Sequence, residues 1–108
     1  MNTQQPVVYE IENLEDARNF LLSCDAPIIL TNKAGSTKYY GMLVVDYMFK
    51  QLTKEFLEKI VKIIVNVEDN HPALFTAIKL NYKDITYTGN SAEAIKIYEL
   101  QRHRNNNC

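Results

Sequence analysis

The residues from Val61 to Tyr82, VKIIVNVEDNHPALFTAIKLNY, leave this chain few ways to fold. Val61, Ile63, Ile64, Val65 and Val67 make a β-branched run too continuous for a strand with one wet face. It predicts a central parallel strand covered on both sides. The polar EDNHP that follows reads as a turn. Pro72 suits the first helical position, where a missing N–H costs nothing, so Asn70 or His71 falls near the N-cap. Leu74, Phe75, Ala77 and Ile78 supply the apolar face of the helix, and Asn81, tolerant of left-handed backbone, is its expected stop.

The rest of the chain repeats this strand–loop–helix pattern. Val7 to Ile11 alternates as a short strand, and Pro6 before it fits a sheet edge. Asn13 caps the next helix, with Glu15 and Asp16 at the positive end of its dipole; Leu14, Ala17, Leu21 and Cys24 form its apolar stripe. Ile28 to Thr31 is a second buried strand. From Tyr39 to about Leu57 a long helix is expected, its stripe of Val44, Val45, Met48, Phe49, Leu52 and Phe56 facing the sheet. Asp84 to Thr88 is a fourth strand. Asn90 and Glu93, spaced like a capping box, open a last helix with Ala94, Ile95 and Tyr98 inward. The ends, residues 1–5 and 101–108, lack apolar periodicity and are expected to be flexible.

Four βα units without a hairpin signal predict one α/β domain over residues 1–108, with a four-stranded, mainly parallel sheet. That sheet is either open and flavodoxin-like, in three layers, or curled as half of a β/α barrel with helices on one face. Strand order is not readable. The chain of 108 residues is long enough to fold without a metal or disulfide, and its net charge of −1 with scattered Lys and Arg argues against nucleic acid as a partner. No apolar run approaches the ~20 residues of a membrane span, and MNTQQPVVYE has neither the basic nor the apolar part of a leader, so a cytoplasmic protein is expected. Cys24 reads as a buried, inert thiol, and its pairing with Cys108 is not indicated.

In parallel α/β folds ligands gather beyond the carboxyl ends of the strands, where helix N-termini offer free N–H groups. Here that rim comprises Glu10, Glu12 and Asn13; Thr31 to Lys38; Asn66 and Glu68 to His71; and Thr88 to Ser91. The loop TNKAGSTK is mildly like a phosphate cradle, and Lys33, Ser36 and Thr37 are its candidate anion ligands, yet it lacks the spacing that wraps a diphosphate. A solvated connector is the plain alternative. Glu68, Asp69 and His71 are the densest titratable group; capping and dipole compensation explain them as well as proton transfer does. His71 has no second His or Cys at ligand spacing, so neither a metal nor another cofactor is expected.

One feature of the long helix bears on assembly. Tyr40, Leu43 and Tyr47 fall nearly opposite its core stripe, and a second apolar face needs a second partner. This points to a homo-oligomer built on Tyr40, Leu43 and Tyr47, with packing against another element of the domain, or against a different protein, as the alternatives.

The strand–loop–helix from Lys62 to Tyr82 followed by DITYTG resembles a set of small uncharacterised bacterial α/β proteins. Their pattern is an apolar strand ending in acidic residues, a helix rich in alanine and leucine, then a short strand and glycine. The likeness covers most of residues 26–90 and implies the fold, with no assigned activity. A receiver domain is also similar in outline, but Asn66 and Val67 stand where its strand-end aspartate belongs; against an aldolase, half of the barrel is absent. The expectation is thus a non-catalytic, self-associating interaction domain. Its rival is a protein that binds a phosphate or carboxylate metabolite, or acts on one, through Lys33, Ser36, Thr37, Glu68, Asp69, His71 and Asn90.

Overall fold

A computed structural model describes residues 5–106. The elements follow in the order β1 (Val7–Ile11), α1 (Leu14–Ser23), β2 (Ile28–Asn32), α2 (Ser36–Tyr39), α3 (Met42–Glu55), β3 (Ile60–Glu68), α4 (His71–Lys79), β4 (Asp84–Tyr87) and α5 (Ala92–Asn106). The four strands form one sheet in the order β1-β2-β3-β4, every neighbouring pair parallel. The expected βα repeat and parallel sheet are therefore present, with β1 at an edge.

Strand order settles the layering. Each strand lies beside its sequence neighbour, always stepping in the same direction, and right-handed crossovers then place every connecting helix on the same face. Accordingly α1 packs on α3, α3 on α4 and α4 on α5, and the domain is only 20 Å through its thin axis, one sheet plus one helix layer. The half-barrel arrangement holds and the three-layer one does not. The prediction that β3 is covered on both faces is corrected for the same reason. Val65 and Val67 are buried under the helices, whereas Ile64 on the opposite face is half-buried and Val61, the extra residue of a bulge against β2, is exposed.

The core fills the space between sheet and helices. Ile11, Ile28, Leu30, Val65, Val67 and Ile85 come from the strands; Ala17, Leu21, Val45, Phe49, Leu52, Leu74 and Ala77 come from the helices. Tyr9 stacks on Phe20 at a centroid distance of 4.4 Å, fixing α1 over β1. Arg18 holds Glu55 through two hydrogen bonds of 2.8 and 2.7 Å, tying α1 to α3. Both side chains are about one-third exposed, so solvent screens much of their attraction. Deeper, the Tyr82 hydroxyl donates to Asp46 at 2.5 Å and joins α3 to the α4–β4 connection. Burial, and then the Asp46 carboxylate, push the Tyr82 phenol far above its usual range.

Local structure departs from expectation at four places. The long helix is two: α2 ends at Tyr39, capped by Tyr40, and Gly41, with φ 90° and ψ 150°, breaks the chain direction before α3 begins. Side chains other than glycine rarely take that backbone. Val44, expected inside, is exposed, while Met42 is buried; Phe75 on α4, also expected inside, is about one-third exposed. The cap of α5 is Ser91, whose hydroxyl accepts from the Ala94 N–H at 3.3 Å, not Asn90. Finally, α5 continues to Asn106, beyond Leu100 where apolar periodicity ends. Of the ends expected to be flexible, residues 1–4 and 107–108 lie outside the described residues. The caps at Asn13 and Asn70 and the left-handed stop at Asn81, φ 69°, are as expected.

Candidate functional site

At the carboxyl ends of the strands, β2 and β3 are joined by a side chain. Regular pairing stops at Thr31 with Ile64. Beyond it Asn32, 1% exposed, imitates a peptide group: its Oδ1 accepts from the Asn66 N–H at 2.7 Å and its Nδ2 donates to the Asn66 carbonyl at 2.7 Å. The same Nδ2 reaches Ser36 Oγ at 2.8 Å. Asn32 thus fixes the start of α2 to the end of β3, and Ser36 is buried as its partner.

Around this clamp the loops meet. Thr37 Oγ1 accepts from Asn70 Nδ2 at 3.3 Å, while Asn70 Oδ1 accepts from the Ala73 N–H and caps α4. Lys38 Nζ lies 2.7 Å from Asp69 Oδ1. The hydrogen bond to Asp69 raises the Lys38 ammonium above its ordinary range, and the bond to Lys38 holds the Asp69 carboxyl below the usual carboxylate range. Lys33 Nζ faces Glu12 Oε1 across 3.3 Å. Glu68 follows a bulge against β4 and has φ 51°, an uncommon backbone for its type, and its carboxylate approaches Gly35.

The predicted rim residues therefore separate. Lys33, Ser36, Thr37, Glu68 and Asp69 belong to one connected region between the β2–α2 and β3–α4 loops. His71 sets its ring 5.7 Å from that of Tyr87 and stays near enough to Asp69 to help hold that carboxyl down, whereas Asn90 is exposed in the β4–α5 loop. Both lysines already face carboxylates, and the two buried hydroxyls serve Asn32 and Asn70. The region is thus a compensated ion-pair and hydrogen-bond network. Among the described residues no three His, Cys, Asp or Glu side chains gather as a metal site would require.

Two grooves flank Tyr40 on this rim. One, about 370 Å³, is lined by Glu12, Lys33, Gly35, Ser36 and Tyr39 besides Tyr40. The other, about 450 Å³, runs between the start of α3 and the start of α4, past Leu43, Val44, Asn70 and Pro72. Sequence reasoning placed Glu12 and Asn32 on the rim without naming them as site residues, and it missed Tyr39. Asn32 looked like the first residue of a solvated loop; the signal for burial was its place in register with Ile11, directly after an apolar strand.

The α2–α3 surface also carries the side chains singled out for assembly. Tyr39 is 84% exposed, Leu43 67% and Tyr47 56%, with Tyr40 and Val44 each at 44%. Tyr39 and Tyr40 meet edge to face with centroids 4.9 Å apart. No helix among the described residues is long and apolar enough to cross a membrane.

Comparison with known proteins places this chain. No family model matches it, and no solved structure does. It is 62% identical over 90 residues, 83% of this chain and 85% of the relative, to "Uncharacterized protein RP547" of Rickettsia prowazekii. Identity of that extent shows common descent, and the chain belongs to the same bacterial α/β protein family as the Rickettsia protein.

Proposed function

We propose that this protein is a non-catalytic, cytoplasmic interaction domain that self-associates through its α2–α3 surface. The observation that supports the reading is the band formed by Tyr39, Tyr40, Leu43, Val44 and Tyr47, five large side chains exposed within nine residues. Contiguous apolar surface of this kind marks contact sites in soluble proteins. Tyrosines suit such contacts, since they bring much area at little conformational cost. The compensated charges of the rim agree with a structural role for the loops beneath the band. A half-buried, free Cys24 agrees with a reducing compartment.

Light scattering coupled to size exclusion tests this. The wild type is expected above monomer mass, and Leu43→Asp, which places a charge at the centre of the band, is expected to lower that mass while leaving the circular dichroism spectrum unchanged. A wild type that stays monomeric at every concentration sinks the proposal.

The two grooves beside Tyr40 support a second reading, in which the rim holds a small metabolite, since their volumes fall in the range of ligand pockets. The pairing of Lys33 with Glu12 and of Lys38 with Asp69 means that an anion must compete with a carboxylate already in place. Thermal stabilisation by a phosphate or carboxylate metabolite would support this reading; at 100 times its Kd a ligand adds about 2.7 kcal/mol. A flat response across a broad panel would count against it.

A further inference from the structure

The sheet has two outer edges, and the chain treats them differently. On β4, the carbonyl of Ile85 accepts a hydrogen bond from the Tyr98 hydroxyl of α5 at 2.7 Å, so a side chain caps the outermost strand. On β1 no such cover is found among the described residues. In a parallel strand alternate residues turn their peptide groups to opposite neighbours. The Val7 N–H donates to Pro27 at 2.8 Å and the Ile11 carbonyl accepts from Lys33 at 3.2 Å, so Val7, Tyr9 and Ile11 face β2. The N–H and C=O groups of Val8 and Glu10 consequently point away from β2, and among the described residues β1 has no other strand beside it. The edge is blunted only by its shortness, by the Glu10 charge and by Pro6 just before it. No proline or lysine lies within Val7–Ile11, and the Val8 side chain is 59% exposed.

We propose that the β1 edge pairs with the β1 edge of a second copy, antiparallel across a two-fold axis, extending two four-stranded sheets into one of eight. A second copy is the occupant because the edge is self-complementary in only one register. Placing Val8 opposite Glu10 of the partner, and Glu10 opposite its Val8, uses all four outward groups on each strand and leaves Tyr9 facing its own equivalent at the axis. Centring on Glu10 instead puts two carboxylates face to face, which is destabilising, and centring on Val8 sets Glu10 against Pro6, which has no N–H. Val8 and Glu10 also share the face of the sheet that has no helix, so their side chains meet no obstacle.

This inference extends the self-association reading to a second, separate surface. A five-residue edge is small beside the roughly 800 Å² per partner of a standard interface, so association through it is expected to be weak and concentration-dependent.

The test removes the α2–α3 contact first. In a Leu43→Asp background, sedimentation velocity is expected to show a monomer–dimer equilibrium, and amide exchange at Val8 and Glu10 to slow as concentration rises. The register makes a charge prediction: adding Val8→Lys, which sets the new lysine opposite Glu10 of the partner, tightens the dimer several-fold, and adding Val8→Asp weakens it by a similar factor. Val8 is exposed, so neither change disturbs the core. Two outcomes would overturn the proposal: a monomer at all concentrations with freely exchanging Val8 and Glu10 amides, or equal effects of the two substitutions. The α2–α3 reading fails on a different observation, an assembly that Leu43→Asp leaves unchanged.

Discussion

Replacing Asn32 by alanine isolates the part of the rim that holds two loops together. The side chain makes three hydrogen bonds of 2.7, 2.7 and 2.8 Å, two of them to the backbone of Asn66 and one to Ser36. At about 1 kcal/mol net for each bond the loss is roughly 3 kcal/mol. Asn66 is only half-buried, so water recovers part of it, and the cavity left at a buried site adds some back. The expected cost is about 2–4 kcal/mol, a large share of the ~5–15 kcal/mol that holds a domain together. In a chain of this size it corresponds to a fall in Tm of roughly 10–25 °C. Urea denaturation followed by circular dichroism measures it. Asn32→Asp sharpens the test, because the aspartate keeps an acceptor for the Asn66 N–H and sets its other oxygen against the Asn66 carbonyl. Burial and that carbonyl raise the folded-state pKa of the new carboxyl above its unfolded value of ~3.9. Its destabilisation is therefore fully present above the folded pKa, and the deficit against wild type shrinks as pH falls through it. An alanine variant within about 1 kcal/mol of wild type, or an aspartate deficit equal at pH 7 and pH 4, would refute the assignment of Asn32 as the β2–β3 clamp.

Two further outcomes follow from the packing. Tyr82→Phe deletes the donor to Asp46 and is expected to cost about 1–2 kcal/mol at neutral pH, with Lys50 still 2.9 Å from the carboxylate. The Tyr82 phenol is raised in the fold, so its contribution is complete below the ordinary tyrosine value of 10.0 and disappears as pH rises past it; wild type should lose stability in alkali more steeply than the phenylalanine variant, read as urea midpoints from pH 7 to 11. Gly41→Ala forces a side chain into φ 90° and ψ 150° and is expected to cost about 1–3 kcal/mol by the same assay, although a Cβ there meets nothing within 4 Å. An unchanged midpoint would mean the helix break does not depend on glycine.

The alternation of strands and helices was legible because β-branched runs at Ile28–Thr31 and Ile60–Val67 and the caps at Asn13 and Asn70 act locally, through a few neighbouring residues. The one-sided layering was not, since strand order depends on which way each crossover steps and leaves no mark in the apolar pattern. The run at Ile60–Val67 looks two-sided, yet Ile64 faces away from the helices. Gly41 escaped notice because Tyr39–Leu57 is apolar enough to read as one helix; a single glycine with positive φ splits it, and the narrow stripe of Val45, Met48, Phe49 and Leu52 then suffices against the sheet. At the rim, charge type could be read and pairing could not. Lys33 and Lys38 looked available for an anion until the fold brought Glu12 and Asp69 to them.

That each strand hydrogen-bonds only to its predecessor and successor in the chain also shapes how the protein comes to exist. No ladder waits for a distant segment, so loop-closure entropy is met in small instalments and rapid acquisition of structure is expected. A ribosome could deliver βα units one at a time, each docking on a surface already in place. The same arithmetic makes the architecture modular: another unit inserted between β2 and β3 would lengthen the sheet without rerouting any existing connection, a growth path closed to folds whose first and last strands must meet in the middle.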